Sequence, residues 1–207
     1  MELQVWLAFV AASIVLVAIP GPSIMLTMSY ALSQGRRVAI ATAAGVAVGD
    51  LVAMTTSLAG LGALVMASAE LFTLLKWLGA IYLVFLGFKL IRTAPTTNVG
   101  VMPTPERKSE RSVFFHALLV TAFNPKSIAF FIAFVPQFID PQLPLFPQFA
   151  LLVATFVTLG GVNALMYALV ADQLRKRITR PSVLTWFTRT GGGAMIAMGL
   201  ATAAMKR

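Results

Sequence analysis

The chain contains no cysteine, so neither a disulfide framework nor a thiolate metal site is available to it. It has one histidine, His116, and seven acidic residues in 207. A zinc hydrolase needs paired His and acidic ligands, and an intramembrane aspartyl protease needs two Asp. Away from the ends of the apolar runs Asp50 is the one carboxylate, so no enzyme chemistry and no cofactor is expected. Charge is scarce as well. Asp, Glu, Lys and Arg make up 11% of the residues, against roughly 25% in soluble domains. Such a chain cannot clothe a water-soluble surface.

What is present is apolar: 58% of the residues are hydrophobic and the mean hydropathy is +0.86. Six stretches, 3–32, 38–66, 70–92, 113–139, 146–171 and 183–205, are each long enough to cross about 30 Å of hydrocarbon with some tilt. The first lacks a basic leader and is too long for a signal sequence, so it reads as a spanning helix that stays. The one long polar interval, Thr93 to Ser112, holds Pro95, Pro103, Pro105 and the run ERKSER. It reads as a water-exposed cytoplasmic linker, 93–112, between a first three-helix unit, 1–92, and a second, 113–207.

The net charge of +9 does not point to nucleic acid, because the basic residues sit in short clusters between apolar runs. Twelve of the sixteen fall in or at the edges of the connections after the first, third and fifth runs, among them Arg36, Arg37, Arg107, Lys108, Arg111 and Arg175. The excess of Lys and Arg marks the cytoplasmic side. Both termini are then periplasmic, against the single contrary pair Lys206 and Arg207.

Three helices per half means that the second half enters the membrane from the opposite side. "PGPSI" at 20–24 and "NPKSI" at 124–128 echo each other at matching positions of the two halves. The expected fold is therefore an all-α membrane protein. Its six transmembrane helices form two inverted three-helix repeats, with the first and fourth helices broken at Pro.

The polar residues of the helices share one depth. Pro22, Asp50, Asn124 and Asn163 lie 12–14 residues inward from Arg36, Arg37, Arg111 and Arg175. At 1.5 Å per residue this is about 18–21 Å, near the bilayer midplane. Pro20, Pro22 and Pro125 break helical hydrogen bonding and free amides and carbonyls, which hydrocarbon tolerates only against protein or a wet cavity. A half-helix N-terminus beyond each break suits a carboxylate, and Lys126 adds a full positive charge beside one of them. Asp50 offers an ammonium its counter-charge and can load and release a proton.

Lys126 either receives a substrate carboxylate or pairs with Asp50 as a structural ion pair; both readings stand. Gly45-x-x-x-Gly49 and Gly191-Gly192-Gly193 read as packing seams, which also permit a homodimer. A small zwitterion fits the layer best. A small-cation or metal carrier on the same fold is the alternative, and a non-transporting scaffold the third.

Four segments carry a family likeness: Pro20-Gly21-Pro22, "GVAVGD" at 45–50, "LKWLGAIYLVFLGFKLIR" at 75–92 and "NPKSIAFFIAFVPQF" at 124–138. With these, the chain resembles the lysine exporter family of amino-acid efflux proteins over nearly its whole length. The resemblance implies export of amino acids or close analogues from the bacterial cytoplasm across the inner membrane, by exchange with protons. Where the family often has Asn or another polar residue after its Pro-Gly-Pro, this chain has Ser23. The expected substrate contacts are Pro20, Gly21, Pro22, Ser23, Asp50, Asn124, Pro125, Lys126 and Asn163, with Tyr82 as a further candidate and Asp50 as the proton-coupling residue. The expected partners are a zwitterionic amino acid, protons and membrane lipid.

Overall fold

A computed structural model describes residues 1–67, 69–92, 108–140, 142–177 and 181–204. Most of the expected linker, residues 93–107, lies outside the described residues, as do Arg180, Lys206 and Arg207. The described chain is helical, with no strand: α1 (Leu3–Ala18), α2 (Pro22–Gln34), α3 (Arg36–Ala67), α4 (Ala69–Arg92), α5 (Glu110–Ala122), α6 (Pro125–Ala133), α7 (Leu145–Arg177) and α8 (Pro181–Ala204). A 3-10 turn, Val135–Phe138, follows α6.

Local chemistry sets the ends. Ser109 opens α5 by accepting the Ser112 amide on its side chain, and Glu110 adds negative charge to the first turn. Gly35 alone separates α2 from α3 with φ of 84°, a left-handed geometry that other residues adopt at a cost. Ile19, Gly21 and Asn124 each precede a proline, and all three are extended. The proline ring disfavours helical geometry in the residue before it. The chain therefore bends by 54° between α1 and α2 and by 43° between α5 and α6.

Two unbroken helices contain runs long and apolar enough to span a membrane, Arg36–Gly62 in α3 and Leu145–Leu169 in α7, and each bent pair passes the same test when taken as one span. The third and sixth expected spans differ from this. Among the described residues, α4 and α8 hold the shorter apolar segments Trp77–Lys89 and Gly192–Ala203. Both helices are nonetheless 24 residues long. The outward face of α4 is apolar, with Leu78, Ile81, Phe85 and Phe88 each more than half exposed, as expected where lipid replaces water.

Small residues set the packing. A Cβ on Gly45 would collide with the Phe114 carbonyl, and one on Gly49 would lie 2.7 Å from the Leu118 carbonyl oxygen, so α5 seats directly on α3. Gly192 and Gly87 oppose each other in the same way, and Gly199 meets the Ala80 carbonyl, joining α8 to α4. These glycine seams are occupied within the chain. The largest core cluster gathers Phe9 and Leu16 of α1, Met54 and Leu58 of α3, Phe130, Phe131 and Phe134 around α6, and Leu152 and Phe156 of α7.

Candidate functional site

The break after α1 leaves a specific debt. The last carbonyls of a helix have no intrahelical donor, and the amides that would serve Leu16 and Ala18 belong to Pro20 and Pro22, which have no N–H. Side chains from elsewhere supply all four terminal carbonyls. Lys126 Nζ donates to Leu16 O at 3.0 Å and to Ile19 O at 2.9 Å. Asn163 Nδ2 donates to Val17 O at 2.9 Å, and the Tyr167 hydroxyl to Ala18 O at 3.3 Å. A cation at a helix C-terminus is also favoured by the backbone dipole.

The second break is built around Asn124. Its Oδ1 accepts the Lys126 amide at 3.1 Å and so caps α6, while its Nδ2 donates to Ser23 Oγ at 3.3 Å. One side chain thus ties the start of α6 to the start of α2. Losing a cap of this kind costs about 0.5–2 kcal/mol, and here the inter-helix bond goes with it. Asn124→Ala is expected to lower the melting temperature of the purified protein; an unchanged value would show that the breaks are held by packing alone.

Both breaks open on one cavity of about 30 Å³. Its wall includes Gly21, Ser23, Asp50, Asn124, Lys126 and Asn163, six of the ten residues expected at the site. Lys126, Asp50, Asn124 and Ser23 are all buried. Pro20, Pro22 and Pro125 shape the backbone without lining the cavity. Tyr82 stands apart: it packs on Phe85 with ring centroids 6.2 Å apart and against the cluster of Ile19, Leu83, Ala129 and Met195. Its position on α4 turns it into helix packing and away from the cavity wall.

Asp50 carries no hydrogen bond or ion pair among the described residues, and its carboxylate lies against Gly160, where a Cβ would stand 2.5 Å from Oδ2. The ammonium of Lys126 is held on the α1 carbonyls and packs over Gly21. Two of its three N–H donors are used there, which leaves one. His116 lies elsewhere, hydrogen-bonded through Nδ1 to the buried Tyr30 hydroxyl at 2.9 Å.

Sequence reasoning did not single out Thr121, Ser127, Gly160 or Tyr167. Ser127 was signalled by the echo of the two proline motifs, which aligns it with Ser23, and both serines line the cavity. Thr121 sits one turn before Asn124. Nothing local marked Gly160 or Tyr167, since their partners lie on other helices.

The motifs that build these breaks extend into a match with a whole family. The LysE type translocator family matches residues 14–206. The chain belongs to that family. A membrane protein of Vibrio cholerae serotype O1, described as uncharacterized, is 35% identical to this translocator over 207 residues, the full length of both chains. The homoserine/homoserine lactone efflux protein of Salmonella typhimurium is 31% identical over 199 residues, 96% of each chain. The leucine efflux protein of the same organism is 33% identical over 142 residues, 69% of this chain and 66% of that protein. No solved structure matches the translocator.

Proposed function

We propose that this LysE-type translocator exports a zwitterionic amino acid or close analogue from the bacterial cytoplasm in exchange for protons. The observation that carries the reading is the convergence of two half-helix N-termini, one base and one acid on a single buried cavity. The efflux functions named for its relatives support it. The substrate carboxylate takes the free N–H of Lys126 and the amides at the starts of α2 and α6. The ammonium takes Asp50, helped by carbonyls near Pro20 and Asn124. Protonation of Asp50 from outside then weakens its hold on the ammonium and releases it.

At about 30 Å³ the cavity is of a size for water. The surrounding helices must therefore part to admit an amino acid, as alternating access requires.

The same reading includes six spans in two inverted repeats, in the inner membrane, with both termini periplasmic. Packing of α3 with α7 and of α4 with α8 supports it, because a two-fold axis relating the halves maps each of these pairs onto itself. A reporter fused after Arg107 is expected to be cytoplasmic and one after Asp140 periplasmic. Finding both on one side would overturn the count.

The decisive experiment compares excretion of, and sensitivity to, a panel of amino acids in cells with and without the protein. No difference for any of them would sink the reading. Flux of a metal ion independent of amino acids would favour the alternative, a small-cation or metal carrier, to which the cavity wall offers one carboxylate.

A further inference from the structure

A second cavity, of about 560 Å³, lies where Glu2 and Val5 at the start of the chain face Gln137, Phe138, Asp140 and Gln148. An unbroken series of touching rings connects it to the central one. Phe138, in the wall of this outer vestibule, meets Phe9 at 5.4 Å and Phe134 at 5.2 Å between ring centroids. Those two meet Phe130 at 6.5 and 5.2 Å, and Phe130 meets Phe156 at 5.9 Å. Phe156 belongs to the wall of the central cavity. Phe9 and Phe130 are wholly buried.

A second observation follows the same line. Among the described residues, three side-chain atoms are buried without a hydrogen-bond partner: Thr121 Oγ1, Ser13 Oγ and Gln137 Oε1. Thr121 lines the central cavity and Gln137 the vestibule. Ser13 lies on the buried face of α1 between Phe9 and Leu16. Orphaned buried polar groups are rare and costly, and in membrane proteins such groups belong beside wet cavities. Threonines 27, 42, 155, 158 and 202 all bond back to the carbonyl one turn earlier; Thr121 does not.

We propose that the cleft between α1 and α6 is the exit route of this transporter, and that Phe9, Phe130, Phe134 and Phe138 form its outer gate. The vestibule's facing the periplasm rests on the topology argued under the proposed function. Both arms that carry the rings end at a helix break, which gives each arm a hinge. Lys126, at the start of α6, is the latch, because its ammonium holds the end of α1. A carboxylate that draws the ammonium into the central cavity loosens α1 from α6. When the rings part, Ser13 and Gln137 become the polar wall of the route.

The chain's lack of cysteine makes a direct test available. Ser13→Cys is introduced alone, with Phe130→Ala, and with the milder Phe138→Ala at the vestibule edge. Spheroplasts are then treated on the periplasmic face with a membrane-impermeant maleimide. Ala164→Cys, buried in a different cluster, reports general loosening. Labelling at Ser13 is expected to rise about tenfold or more in at least one of the two Phe variants, as the closed state loses its advantage, with Ala164 unchanged. No gain at Ser13 in either variant, or equal gains at Ser13 and Ala164 in both, would overturn the gate. The labelling needs no substrate. Failure to export any amino acid would therefore count against the proposed function and leave the gate to be decided by labelling.

Discussion

Asp50→Asn is expected to yield a folded, inserted protein whose proton-coupled export is lost. The carboxyl has no hydrogen-bond or ion-pair partner among the described residues and faces the central cavity, so the amide removes no structural contact and is close in size. What disappears is the charge that, in the proposed function, meets the substrate ammonium, and with it the proton proposed to release it. Removing one partner of a buried, hydrogen-bonded charge pair costs about 2–5 kcal/mol, which is roughly 30-fold or more in affinity. Substrate-driven proton movement in vesicles is the measurement. An Asp50→Asn protein that still moves protons when substrate is added would remove Asp50 from the coupling step, whatever its affinity.

Lys126→Met is expected to lower both stability and substrate affinity. Two readings of Lys126 were open in the sequence, with opposite consequences for this variant. A purely cargo-binding lysine would be dispensable for the fold, and its removal would relieve a charge that costs about 2.5–3.5 kcal/mol to insert. A lysine paired with Asp50 would be needed for the fold. The geometry supplies a third role, since the ammonium replaces the donors that Pro20 and the chain break deny to Leu16 and Ile19. Each buried carbonyl left unsatisfied costs about 1–3 kcal/mol. The relief from removing the charge is only partial, because that charge is already compensated where it sits. We expect a net loss of about 1–3 kcal/mol, seen as a lower melting temperature, together with weaker substrate binding. A variant that melts as the parent does would show that water serves those carbonyls as well as Lys126 does. One that melts early yet binds normally would confine Lys126 to holding the break.

The breaks were legible in the sequence because proline acts on its own neighbourhood. Pro20, Pro22 and Pro125 stop or restart a helix whatever surrounds them, and the bends fall at these motifs. Counting inward from the basic flanks grouped Pro22, Asp50, Asn124 and Asn163, and three of these, Asp50, Asn124 and Asn163, line one cavity. The glycine seam on α3 could also be read, although its partner, α5, could not.

Rotation about each helix axis was beyond the sequence. In a soluble helix the polar stripe declares which face looks inward, but here lipid and core are equally apolar, so α3 and α4 carry no such mark. Tyr82 shows the consequence: the sequence offered it as a further candidate, and its helix turns it into packing beside Phe85. Lys126 shows the converse, because its acceptors are more than a hundred residues away in the chain. By itself the sequence determined that the chain is apolar and helical and where its helices break, since both follow from local hydropathy and proline stereochemistry. Only the tertiary structure decided which carbonyls Lys126, Asn163 and Tyr167 satisfy, and which rings stand between the central cavity and the vestibule. Those choices depend on small residues from distant segments meeting at one seam, and no local pattern encodes that meeting.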